Sequence, residues 1–339
     1  MDLNSLDHTL ATRRTLICCG TGGVGKTTLS AALALRAARS GRKVCVITID
    51  PSRRLMTALG LSASHDEPQE VRPGLWALVP EAKRTFEQIL EELGPNPEFA
   101  AQMKANPIFQ MVARDFSGAH EYMALLKLAR VMEAGVFDLI VLDTPPSRNL
   151  VGFLNSPLFL EKFYSDPIFK WILMPSNRLL GAGVEKIMEL LERLTGKTFV
   201  SDLFAFTRGL FAIQQGFLAK LATVSEMFAS AHTGFVFVTS SFQSDLTETE
   251  ALLHELGDRR MNLDVLLMNR SLAKLRIVTS TADSAVLRDL QKQEQQTVEK
   301  LELALRRNAP NDDVLFSRVP ELLRDIHGID DLEYLSKIL

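Results

Sequence analysis

Nine consecutive residues, Gly20-Thr21-Gly22-Gly23-Val24-Gly25-Lys26-Thr27-Thr28, constrain this chain more than any others. They satisfy G-x-x-x-x-G-K-[ST] from Gly20 to Thr27. Upstream, Thr15–Cys19 is a short apolar run that reads as a buried strand. Downstream, Leu29–Arg39 is rich in Ala and Leu and free of Gly and Pro, which predicts a helix closed by Gly41. Strand, glycine turn and helix together aim backbone N–H groups and the positive helix end at a polyphosphate. In that geometry Lys26 reaches the terminal phosphates and the Thr27 hydroxyl holds Mg²⁺. A side chain at Gly22, Gly23 or Gly25 would crowd the phosphates or forbid a positive φ, whereas Val24 can turn into the core.

The same strand-then-helix alternation recurs along the chain. Lys43–Ile49, Leu75–Val79, Phe137–Leu142, Gly234–Thr239 and Leu263–Met268 are short, apolar and rich in β-branched residues, and Val314–Val319 is a weaker strand candidate. Helical stretches such as Thr247–Leu256 and Thr281–Arg307 lie between them. The pattern predicts an α/β fold, a mostly parallel sheet with helices on both faces. Sites in such sheets lie beyond the C-terminal strand ends, where the glycine loop falls.

The middle of the chain differs. Glu98–Ala134 and Val151–Ala231 show no convincing strand and read as helical. Phe concentrates there, with 16 of 19 between Phe99 and Phe237. Leu203, Phe204, Phe206, Leu210, Phe211, Phe217, Leu218, Leu221 and Phe228 largely follow helical spacing. Two readings stay open: a second layer of core, or an apolar surface that receives a segment of another chain. The expected organisation is one domain over residues 1–339, with 98–134 and 151–231 forming a helical subdomain inserted in it.

Composition narrows the function. The chain has 339 residues with a net charge of −3, so nothing draws it globally toward nucleic acid. The N-terminus carries acids and no apolar core of a signal peptide, and no 18-residue stretch is free of polar interruption. The expected compartment is the cytoplasm. Cys18, Cys19 and Cys45 lie in apolar strands and read as small buried hydrophobes, without the spacing of a zinc clip or a disulfide framework.

Two strand ends complete the candidate site. Leu139–Leu142 runs into Asp143, which at a strand tip can hold Mg²⁺ through water beside Thr27. Thr144-Pro145-Pro146-Ser147 then forms a turn placed to sense the γ-phosphate. Val46–Ile49 runs into Asp50-Pro51, and Pro51 disfavours helical backbone at Asp50. A carboxylate there can orient and deprotonate an attacking water. Alternatively, Asp50 caps a helix that starts near Arg53.

Together these pieces resemble the ArsA family, the arsenite-pump ATPases and the ATPases that target tail-anchored membrane proteins. The family loop GKGGVGKTT is matched by GTGGVGKTT, its first switch by Asp50-Pro51-Ser52-Arg53, and its second by Asp143-Thr144-Pro145-Pro146-Ser147. Leu267-Met268-Asn269-Arg270 is similar to the strand whose Asn reads the purine, and Val319-Pro320-Glu321 to the adenine-contacting loop. The resemblance runs from about Leu16 to Leu339. It implies a phosphate-loop NTPase of the SIMIBI type that binds ATP and Mg²⁺. Gly20 to Thr28, Asn269, Arg270, Val319 and Pro320 would hold the nucleotide. Thr27, Asp143 and Asp50 would stand at the metal, and Lys26, Asp50 and Asp143 would carry the chemistry. It further implies a homodimer that opens and closes with nucleotide state around an apolar membrane-protein client or a membrane partner.

The sequence departs from the family in three ways. Thr21 stands where the family has a signature lysine that reaches the partner's phosphates, and Arg53, Arg54 and Arg148 are the candidate substitutes. Cysteines suited to arsenite are not visible outside the core strands, and the chain is a single ATPase unit, which disfavours an arsenite pump. The zinc-clip cysteines of the eukaryotic targeting factors are missing. Competing readings are a MinD/ParA-like positioning ATPase and a nucleotide switch with little hydrolysis. The acidic start of the tail and the lack of a basic run disfavour the former. His120 reads as structural, and the Glu/Gln/Lys run Gln291–Glu302 as a solvated helix face.

Overall fold

The computed structural model describes residues 6–49, 54–59, 66–115, 117–144, 192–193, 195–241, 243–259, 261–276, 281–308, 313–322, 326 and 328–339. In chain order the described elements are α1 (Leu6–Thr12), β1 (Thr15–Gly20), α2 (Lys26–Arg39), β2 (Val44–Thr48), α3 (Arg54–Leu59), β3 (Gln69–Arg72), β4 (Leu75–Leu78), α4 (Ala82–Leu93), α5 (Pro97–Ala105), α6 (Pro107–Asp115), α7 (Ser117–Glu133), β5 (Leu139–Asp143), α8 (Lys197–Ala212), α9 (Gln214–Phe228), β6 (Thr233–Thr239), α10 (Gln243–Asp258), β7 (Leu263–Ser271), α11 (Thr281–Asn308), β8 (Leu315–Pro320) and α12 (Ile329–Ile338). The chain separates into two compact units, one of residues Met1–Pro80, Arg130–Phe153 and Glu226–Leu339, the other of Glu81–Ala129 and Leu154–Ser225.

The first unit is built on one eight-stranded sheet in the order β3-β4-β2-β5-β1-β6-β7-β8. Every pairing is parallel except β3 with β4. Strand β1 lies in the middle, and all six of its residues are buried. Successive strand side chains alternate between faces. Leu16, Cys18, Val44, Val46, Val141, Val236, Val238, Val265 and Leu267 accordingly join one core with α1, α2, α3 and α12. On the other face Met268 packs with Val298 and Leu301 of α11. Burial on both faces explains why these strands read as unbroken apolar runs instead of alternating ones.

Helix α2 is buried nearly all round, with Leu29 to Ala34 at 0% exposure. Small Ala side chains let it lie close to the sheet while α12 covers its outer side through Leu332 and Leu335. Arg36 stitches the outer layer together. Its Nε and Nη2 donate to both carboxylate oxygens of Asp7 on α1 at 2.7 and 2.9 Å, and Nη1 donates to the Ser336 carbonyl of α12 at 3.2 Å. All three cysteines are buried and unpaired in disulfides, and desolvation pushes the Cys18 thiol up to about 12 and the other two up as well.

The described part of the second unit is helical. Its core joins Phe86, Ile89 and Leu90 of α4, Met103 of α5, Phe109 of α6, Phe206 of α8 and Phe217 and Leu221 of α9. Local chemistry sets the turns. Asn96 caps α5 by accepting from Phe99 N at 2.8 Å, with Pro97 at the first helical position. Asn106 Oδ1 accepts from Ile108 N and Phe109 N to open α6, while its Nδ2 donates to the Asp202 carbonyl of α8 at 2.9 Å. Gly216 of α9 lets that helix approach α4, since a Cβ there would lie 2.7 Å from Leu93.

The structure adds one strand to those expected and corrects one expectation. The edge strand β3 was not foreseen, because Gln69-Glu70-Val71-Arg72 is largely polar and only half-buried. The run Gln291–Glu302 is not simply a solvated face: Glu294 is 2% exposed and Val298 and Leu301 are in the core. Glu294, Thr297, Val298 and Leu301 follow i, i+3, i+4, i+7 spacing, so the buried stripe includes the carboxylate.

Candidate functional site

The glycine loop leaves the C-terminal tip of β1 and enters α2 at Lys26. Gly20, Gly23 and Gly25 take positive φ values of 146, 77 and 90°. At Gly20 a Cβ would land on the Val238 carbonyl oxygen of β6, so glycine is required by space as well as by φ. Gly25 is the N-cap of α2 and bears no side-chain cap, leaving the first N–H groups of the helix directed into the loop. Val24 is buried in the sheet core, as expected from the sequence, while its backbone stays in the loop.

Lys26 is 7% exposed, and its ammonium donates to the carbonyls of Gly20 at 3.1 Å and Thr21 at 2.9 Å. The charge thus lies inside the loop. Thr27 and Thr28 are half-buried. Thr21 is wholly buried, and its hydroxyl oxygen has no hydrogen-bond partner among the described residues.

Asp143 ends β5, adjacent to β1 on one side and β2 on the other, in register with Cys18 and Thr48. Its carboxylate is fully buried. Thr48 Oγ1 donates to Oδ2 at 2.9 Å, and Ser30 Oγ lies 3.4 Å from Oδ1 while also donating to the Lys26 carbonyl at 2.9 Å. One acid is thereby bonded to the tip of β2 and placed beside Ser30, one turn into α2. Thr144 is anchored next to it, its N–H and Oγ1 both donating to the Cys18 carbonyl. Thr48 and Ser30 escaped the sequence reading. The usable signal was Thr48 two residues before Asp50 on the neighbouring strand, and Ser30 one turn after Lys26.

Asn269 and Arg270 lie at the end of β7, which continues past the expected Met268 to Ser271. Asn269 Nδ2 donates to the Val24 carbonyl at 2.7 Å, so this residue touches the glycine loop directly. Arg270 is exposed and takes φ 57°, the one non-glycine residue at positive φ among those described. Val319 is buried, Pro320 pairs with Ser271, and Glu321 N donates to the Ser271 carbonyl at 2.9 Å. The structure therefore brings together Gly20–Thr28, Asp143 and Asn269, with Pro320 beside the turn that follows Asn269. Asp50, Pro51, Ser52, Arg53, Pro145, Pro146, Ser147 and Arg148 lie outside the described residues, as does the side chain of Arg54. Ile49, just before Asp50, donates its N–H to the Asp143 carbonyl at 2.9 Å. No group of metal-ligand type with three or more His, Cys, Asp or Glu occurs among the described residues.

A parallel sheet with a glycine loop at the tip of its central strand, a buried acid one strand away and a helix opening at the loop defines a phosphate-loop NTPase. The chain belongs to the anion-transporting ATPase family, whose model matches residues 13–339. It is accordingly an ATPase. Similar proteins include "ATPase get3" of Schizosaccharomyces japonicus, 24% identical over 327 residues, which cover 94% of this chain and 90% of that one. The "ATPase get3" of Schizosaccharomyces pombe is also 24% identical, covering 94% and 89%. An uncharacterized protein of Streptomyces coelicolor is 27% identical over 260 residues, covering 76% and 63%. No helix among the described residues is long and apolar enough to cross a membrane.

Proposed function

We propose that the chain is a Mg²⁺-dependent, cytoplasmic ATPase that works as a homodimer and couples its nucleotide state to the handling of an apolar client. The observation that carries the nucleotide part is the junction of the loop with Asp143: three positive-φ glycines, an uncapped helix start and a buried carboxylate tied to that helix through Ser30. This set suits a polyphosphate with a hard cation, because loop N–H groups take the oxygens and hydroxyl and carboxylate oxygens suit magnesium. Thr27 and Asp143 would hold the metal, Asp143 through water, and bound magnesium would neutralise charge on the phosphate oxygens. Lys26 gives up its bonds to Gly20 and Thr21 to meet the terminal phosphates. Asp50 orients the attacking water and accepts its proton. Asn269, Arg270 and Pro320 would stand at the base, with Val319 buried in the core.

Support for the client part comes from the helical unit. There Met111, Phe199 and Leu203 are exposed by 50, 39 and 38%, on α6 and α8. Large apolar side chains in that state suit an apolar partner. Thr21, uncharged and turned inward, supplies no cation to a neighbouring subunit. Hydrolysis therefore runs without the family's signature lysine.

Steady-state phosphate release tests both parts at once, with and without a synthetic apolar helix of about 20 residues. The wild type releases phosphate in a magnesium-dependent way, and the peptide changes the rate. Lys26→Ala and Asp50→Asn each lower the rate by about 100-fold or more, on the scale of a lost charge at a transferring phosphoryl group. Equal rates in wild type and Lys26→Ala would overturn the nucleotide reading; a rate indifferent to the peptide would overturn the client reading.

A further inference from the structure

Glu294 is a carboxylate 2% exposed on a helix whose other polar residues mostly face water. It belongs to none of the motifs that mark the nucleotide site, yet it holds the end of β7 through two bonds. Ser271 Oγ donates to its Oε1 at 2.5 Å, and Leu272 N donates to its Oε2 at 2.7 Å. Arg318 of β8 stands 3.9 Å from Oε1. Gln291, one turn earlier on α11, donates to the carbonyls of Leu272 and Leu275 at 2.7 and 3.0 Å. The Ser271 carbonyl is taken by Glu321 N.

What these bonds hold is a strained residue. Arg270 takes φ 57°, a left-handed conformation that disfavours a side chain and persists only where the surroundings over-determine it. Its neighbour on one side is Ser271, clamped by Glu294. Its neighbour on the other is Asn269, whose carboxamide donates to the Val24 carbonyl inside the glycine loop. That contact fits closely, since a Cβ on Gly25 would lie 2.5 Å from Asn269 Nδ2. A continuous chain of bonds thus runs from α11, through the end of β7, to the loop.

We propose that Glu294 is a positioning residue of the nucleotide site: by fixing the end of β7 at Ser271 and Leu272 it sets the Asn269 carboxamide that holds the glycine loop at Val24. This rests on the nucleotide reading above. Asn269 then acts on the phosphate end of the site through the loop, in addition to any contact with the base. Removing Glu294 loosens the loop without touching a ligand. Buried hydrogen-bonded groups left unpaired also make the change costly for the strand end itself.

Calorimetric titration of Mg·ATP and of Mg·tripolyphosphate into Glu294→Ala, Asn269→Ala and the double variant tests this. Each single change weakens Mg·ATP binding by about tenfold, and the double variant is no weaker than about the worse single, because both break one chain of contacts. Tripolyphosphate, which has no base, weakens in parallel. Glu294→Gln, which keeps one acceptor oxygen, recovers part of the loss. If Glu294→Ala fails to fold, Ser271→Ala removes one arm of the clamp and shows the same direction. Full additivity, tripolyphosphate binding unaltered in the variants, or wild-type affinity in Glu294→Gln and Ser271→Ala would overturn the proposal. A wild-type protein that binds neither probe would overturn the nucleotide reading beneath it instead.

Discussion

Gly20 has no room for a side chain. A Cβ there meets the backbone carbonyl of Val238 on the adjoining strand, and φ is 146°. Neither a central parallel strand nor its neighbour can move aside cheaply, so Gly20→Ala is expected to lower stability by about 3 kcal/mol or more, read as a shift in the urea midpoint. Residue by residue, the site was legible where chemistry repeats in a fixed order. Glycines, Lys26 and a strand-ending Asp143 stand in the sequence as they stand at the C-terminal ends of the central strands. Thr48 and Ser30 were hidden because each acts through a partner far away in the chain, and Glu294 because it stands in a run of polar residues. Asp143 lies 113 residues from Ser30 and 95 from Thr48, and no spacing rule links them. Thr21 is a case of its own: the sequence shows which residue stands there, and only the fold shows it turned inward, with its hydroxyl unmatched among the described residues.

At the level of elements, α2 joins the loop to the outer layer of the sheet, and Arg36 is where that layer is fastened. The Arg36 hydrogen bonds hold the Asp7 carboxyl below its ordinary value, so this tether is fully present above the usual carboxylate range and is lost as pH falls through the lowered one. Arg36→Ala also frees the Ser336 carbonyl, and should cost about 1–2 kcal/mol in thermal unfolding at neutral pH, with a smaller difference in acid. The parallel strands were recognised because both faces are covered. Strand β3, antiparallel at the sheet edge, has no such signature. Helix α11 misled for the opposite reason: a run of Glu, Gln and Lys looks solvated until its i, i+4 and i+7 positions are aligned, and the apolar stripe then passes through Glu294.

On the scale of the whole molecule, a sheet-based unit carries the loop and a helical unit carries exposed apolar side chains. The family match extends over both, from residue 13 to residue 339. Sequence alone gave the sheet its class, because alternating strands and helices leave few ways to bury both faces. It left the helical region open between core and docking surface, since Phe at helical spacing serves either. The structure gives Phe206, Phe217, Leu221 and Phe228 to the interior and leaves Phe199 and Leu203 outside. Everything proposed for the molecule as a machine depends on a polyphosphate seated in the loop with magnesium beside Asp143. The direct measurement is a calorimetric titration of ATP into the folded protein with magnesium present and then chelated. Saturable binding that weakens when magnesium is removed, and that is lost in Lys26→Ala, is the expected result. No heat with ATP or ADP, or the same isotherm in wild type and Lys26→Ala, would contradict it.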